Sequence, residues 1–93
     1  MNYTKDPGDT LDWAFDWTEW LATDETISSY VLTVSEGITL ETEGEIAQKE
    51  SGGVVTYWLS GGTAGNWYTV ACKITTNANR VKVHTMNFNV VNR

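Results

Sequence analysis

Residues 67–76, WYTVACKITT, alternate without a break: Tyr68, Val70, Cys72 and Ile74 fall on one face, and Thr69, Ala71, Lys73 and Thr75 on the other. A period of two, carried by β-branched and aromatic residues, commits this stretch to a strand with one buried face. The same patterning returns along the chain. Residues 10–16 set Leu11, Trp13 and Phe15 against Asp12, Ala14 and Asp16, and residues 54–60 set Val55, Tyr57 and Leu59 against Val54, Thr56 and Trp58. The last strand, 81–91, turns Met86, Phe88 and Val90 inward and Asn87 and Asn89 outward. Residues 26–35 and 37–43 complete the set, the second with Ile38 and Leu40 on one face. Short strands punctuated by Gly, Asn, Asp and Ser predict an all-β antiparallel β-sandwich. NANR at 77–80 is a tight turn joining the last two strands as a hairpin.

Helical spacing shows once. In DWTEWLA, Trp17, Trp20 and Leu21 stand at i, i+3 and i+4, and Asp16 and Glu19 have the separation of a capping box. That predicts one short helical turn near residues 16–22, too short to hold without tryptophan contacts. The domain runs over 10–93. Residues 1–9 are an extended segment interrupted by Pro7 and Gly8, with Lys5–Asp9 flexible until a partner orders them.

A 93-residue chain buries roughly 60–65% of its unfolded surface. Five tryptophans, four tyrosines and two phenylalanines are a dense supply for so small a core, so part of that area is available to an interface. Charge is divided along the chain. All twelve acids lie in residues 1–50 against Lys5 and Lys49, a balance of −10; residues 51–93 hold Lys73, Arg80, Lys82 and Arg93 and no acid, a balance of +4. Acidic strands beside basic ones in a single fold account for this, and so do copies packed head to tail as a homo-oligomer. The net charge of −6 argues against a nucleic-acid partner. No apolar run approaches the roughly 20 residues of a membrane span, and no signal peptide is visible. Cys72 is the only cysteine, which fits folding in a reducing cytoplasm without a disulfide.

No chemistry assembles from the residue types. His84 has no nucleophile-elbow serine; Asp12, Asp16, Glu19 and Asp24 crowd one short stretch with no evident cleft for a glycosidase pair. Cys72 and His84 do not make a zinc set, and TDET at 23–26 is not an EF-hand loop. SGGTAG at 60–65 is Gly-rich but lacks the Lys and the following helix of a P-loop. The expectation is no catalytic, cofactor or metal site. Trp58 and Trp67 flank that loop and lie opposite the apolar faces of their strands. They suit core positions beneath the N-terminal segment, anchors of a protein interface, or a platform for sugar rings.

Several segments together resemble the phage fiber–tail adaptor proteins, small Ig-like virion proteins of tailed phages and prophages. They are KDPGDTLDWAFDWTEWL at 5–21, TISSYVLTVSEGITL at 26–40, WLSGGTAGNWYTVACKITT at 58–76 and FNVV at 88–91. The resemblance implies an Ig-like sandwich in the virion that links tail or neck components to fibres, assembles in the host cytoplasm and carries no catalytic residues. NANR keeps Arg80 where the family commonly has a Gly-Arg turn. On this reading Trp17, Trp20, Trp58, Trp67 and Arg80 are the interface candidates. A carbohydrate-binding sandwich using the same tryptophans, a head–tail completion protein and a binder of a host factor stand as alternatives.

Overall fold

A computed structural model describes residues 2–91. Its strands are β1 (Asn2–Lys5), β2 (Leu11–Asp16), β3 (Ile27–Val34), β4 (Ile38–Leu40), β5 (Lys49–Ser51), β6 (Val54–Gly61), β7 (Trp67–Thr76) and β8 (Val81–Val90). They form two sheets, β1-β8-β7-β3 and β2-β6-β4, with β5 also paired to β6. This is the all-β sandwich that the alternation predicts. All pairings are antiparallel except β1 with β8, which run parallel with Asn2 opposite Asn87 and Lys5 opposite Val90.

The period-two faces fall as expected. Tyr68, Val70, Cys72 and Ile74 of β7, Met86, Phe88 and Val90 of β8, and Val55, Tyr57 and Leu59 of β6 are buried and meet between the sheets. Phe15, Trp17 and Ile38 close this core. Tyr3, Trp13 and Phe88 form an aromatic corner, with Trp13 edge-on to both other rings at 5.2 and 4.8 Å. The Tyr57 hydroxyl lies 3.0 Å from the Met86 sulfur; burial pushes its pKa up.

Three local expectations change. Lys5–Asp9 are not a free arm: Lys5 ends β1, is 1% exposed, and its ammonium donates to the carbonyls of Gly61 at 2.7 Å and Asp6 at 2.9 Å. Asp6–Asp9 form a turn in which Gly8 N–H donates to Asp6 Oδ1 at 2.8 Å. The segment around 16–22 is a single turn, with the N–H groups of Trp20 and Leu21 both donating to Trp17 O. Asp16 caps it at Thr18, through the backbone N–H at 2.9 Å and the hydroxyl at 2.6 Å, an Asx turn in place of the i+3 box. A short 3-10 turn stands at Gly44–Ile46. Finally, the polar stretch before Val54 contains β5, folded back on β6 through Gly52 and Gly53 at φ 59° and 90°. Both glycines adopt the positive φ that a two-residue hairpin loop needs.

Candidate functional site

Side-chain alternation on β6 and β7 decides where the tryptophans go. Tyr57 and Tyr68 point into the core from different sheets, so Trp58 and Trp67 point out of opposite sides of the sandwich. No single flat platform can contain both. Trp67 is 57% exposed and Trp58 is half-buried beside Asp12. Trp17 does not stand as a docking anchor. It is 1% exposed, because the turn after β2 folds its ring beneath the sheet, against Phe15, Trp20 and His84. Its indole lies by Cys72, whose thiol burial pushes up to about 11; this buried thiol is inert at neutral pH.

The two outer faces differ in chemistry. On the β1-β8-β7-β3 sheet, β3, β7 and β8 place Val31, Lys73 and Val83 side by side, with Thr75 and Val81 in the next row. Val31, Val81 and Val83 are 59%, 54% and 51% exposed. Among the described residues of these strands no carboxylate points outward. The opposite sheet presents Asp12 and Asp16 from β2, with Glu41 accepting from the Ser60 hydroxyl beyond β4. The division of charge along the sequence reaches the faces only in part: Lys73 stands on the first face and Asp12 and Asp16 on the second, but Arg80 pairs with Glu25 and Lys49 of β5 lies exposed beside Thr56 on the acidic side.

Arg80 and Trp20 belong to one clamp at the end of the sandwich. The guanidinium pairs with Glu25, whose side chain is 3% exposed, through Nε to Oε2 at 2.8 Å and through Nη2 to Oε1. It also lies 4.0 Å above the Trp20 ring, a cation–π contact. Thr76 Oγ1 donates to Glu25 Oε2 at 2.6 Å, and Ala22 N–H to Oε1 at 2.9 Å. The clamp ties the segment after β2 to the β7–β8 turn, so Arg80 is 44% exposed yet already engaged.

These donors, Arg80 first, then Thr76 and the Ala22 N–H, hold the Glu25 carboxyl down to about 2 against the opposing effect of burial. The unfolded chain takes up this proton near pH 4.5. The clamp therefore contributes fully above that pH, and its contribution is lost as pH falls toward 2. Thermal melts from pH 7 to 2 should show the wild-type Tm falling along this limb. Glu25→Gln should lower Tm at pH 7 by several degrees and flatten the acid limb. Parallel limbs in the two proteins would contradict this assignment.

A groove of about 470 Å³ beside β8 is lined mainly by aromatic residues, among them Trp17 and Trp20, with His84, Asp16 and Glu19. His84 packs on the Trp17 ring, centroids 4.8 Å apart. Among the described residues no group of three or more His, Cys, Asp or Glu is arranged to hold a metal ion, and no helix is long and apolar enough to cross a membrane. The Gly-rich loop wraps Tyr68, whose hydroxyl accepts the Thr63 N–H at 2.8 Å. The sequence points to Arg80 but not to its partner Glu25, 55 residues away, nor to the exposed Val31, Val81 and Val83.

No curated protein matches this sequence. The sequence model of one family, described as podophage GP4 fiber-tail adaptor protein gp77, matches residues 5–89. It thus takes in β2 to β7, Lys5 and nearly all of β8, including both outer faces and the clamp. The chain belongs to the podophage GP4 fiber-tail adaptor family.

Proposed function

We propose that this chain is a non-enzymatic structural adaptor of a tailed-phage virion, linking tail or neck components to fibres through protein–protein contacts. The observation that carries this reading is the pair of unlike outer faces. One is rich in threonine and exposed valine, with Trp67 and Lys73, and the other is acidic around Asp12, Asp16 and Glu41. A protein that joins two different neighbours needs two surfaces of different chemistry, and like charges facing each other suppress the reversed orientation. Trp67, exposed at the start of β7, is the aromatic anchor on the first face. The buried, unpaired Cys72 suits folding in the host cytoplasm before assembly.

Peptide mass spectrometry of gradient-purified particles tests the assignment. Recovery at a fixed copy number relative to other tail proteins is the expected result; presence in the lysate but absence from intact particles would overturn it. In the same preparation, Trp67→Ala should melt like the wild type and be recovered at reduced copy number.

A further inference from the structure

The β8 strand is paired along its whole length on one side only. Hydrogen bonds from Thr76 N–H to Arg80 O and from Val90 N–H to Asn66 O fix the phase of the β7–β8 ladder. Even-numbered residues of β8 direct their backbone groups toward β7, and odd-numbered ones away from it. Beyond Asn87, the odd positions face β1; accordingly Val91 N–H donates to Lys5 O at 2.8 Å. Over Val81–Thr85 no strand lies on that side among the described residues. The N–H and C=O groups of Val81, Val83 and Thr85 therefore form an open edge, flanked by exposed valine side chains. An exposed β-branched edge of this kind is a ready template for another strand.

We propose that this edge pairs with the same edge of a second copy, antiparallel about a twofold axis through Val83. In that register Val83 faces Val83 of the other copy, Val81 faces Thr85, and Lys82 faces His84. The backbone groups of Val81, Val83 and Thr85 are all satisfied across the axis. The pairing also ends where the available edge ends, with the β7–β8 turn of one copy arriving beside the start of β1 of the other. Charge chooses the occupant. Lys82 and His84 point to the groove side of β8, and the groove around His84 is lined by Asp16 and Glu19. Each copy thus brings the Lys82 ammonium toward the Asp16 and Glu19 carboxylates that line the groove of the other, an isologous exchange that repeats across the axis. The pairing leaves out Trp67, Asp12 and Glu41 but shares Asp16 with the acidic face and Val81 and Val83 with the other; its test is read on the isolated chain, so its failure leaves the adaptor reading standing.

Sedimentation equilibrium of the full chain, from 1 to about 200 μM on the general scale of protein interfaces, is the test. The wild type should dimerise. Val83→Pro removes an N–H that faces the open edge and not β7, a position where proline is tolerated, and should sediment as a monomer with an unchanged far-UV spectrum. Lys82→Glu should weaken the dimer by about tenfold or more, a change of about 1.4 kcal/mol. Adding Glu19→Lys to Lys82→Glu should restore it, which no other dimer surface predicts. A wild type that stays monomeric throughout overturns the proposal, as does a dimer that survives Val83→Pro. A monomer whose β8 edge becomes protected only inside the particle would assign the edge to a strand of another virion protein and likewise reject the second copy.

Discussion

Trp17→Ala should lose about 3–5 kcal/mol of folding stability, the cost of removing a large aromatic from a packed interior. Trp17 is 1% exposed and touches the core on several sides, with ring centroids 6.4 Å from Phe15, 5.8 Å from Trp20 and 4.8 Å from His84. Its backbone holds the turn as well: its N–H donates to Gly53 O at 2.9 Å, and its carbonyl accepts from Trp20 and Leu21. Loss of the indole leaves a cavity that the surrounding strands, tied by their ladders, cannot collapse to fill. A domain of this size has about 5–15 kcal/mol in total, so the variant should melt about 12–40 °C below the wild type. Trp67→Ala is the internal comparison. Its ring is 57% exposed, and its removal should change stability by no more than about 0.5 kcal/mol. Equal losses at the two positions would mean that Trp17 is not the core residue described.

The contrast between these tryptophans marks where the sequence is readable. Strand alternation separates inside from outside wherever a strand is long and half-buried, so Trp58 and Trp67 are placed opposite the core faces of β6 and β7 from pattern alone. Trp17 lies one residue past the end of β2 but keeps the odd-numbered register of Leu11, Trp13 and Phe15, a signal for the core that the competing helical spacing masks. Its spacing to Trp20 says that the two share a side but not which side meets the core. That depends on how the turn folds beneath β8, a contact between distant parts of the chain. Distance in sequence hides the clamp too, since Glu25 and Arg80 are 55 residues apart. It also hides β1, whose four residues Asn-Tyr-Thr-Lys carry a weak strand signal and pair with the other end of the chain. The β5 hairpin is a different kind of miss. Ser51-Gly52-Gly53-Val54 has the two-glycine loop of a tight hairpin, and that local signal is present in the sequence although the polar residues before it obscure the strand. What stays illegible is mostly long-range: a pairing direction and an ion pair. The charge division, by contrast, is visible as a bare count, although the fold uses part of it within the domain, in the Arg80–Glu25 pair.

Gly62→Ala should cost about 2–5 kcal/mol, because a backbone cost and a packing cost fall on one residue. Gly62 has a φ of +93°, and a Cβ there would stand 2.8 Å from Val90 Cγ2 and 3.4 Å from Tyr68 Cε2. Neither neighbour can yield easily: Val90 is fully buried, and Tyr68 is held by the Thr63 N–H on its hydroxyl. Gly65→Ala separates the two costs. Its φ is +90°, but a Cβ there has nothing within 4 Å, so only backbone strain of about 1–3 kcal/mol applies. Urea unfolding of both variants should give Gly62→Ala the lower midpoint at an unchanged slope; the same midpoint for both would mean that the close approach of Val90 contributes nothing. The expected difference has a structural sequel. Gly61 O accepts the Lys5 ammonium and Val91 N–H donates to Lys5 O, so a shift of Val90 away from a Cβ at 62 pulls on the Lys5 end of β1. Hydrogen exchange should then show β1 opening before the β7–β8 ladder in Gly62→Ala and not in Gly65→Ala. The glycine loop is accordingly a packing element, closing the end of the sandwich over Tyr68 and fixing the strand that borders the open edge of β8.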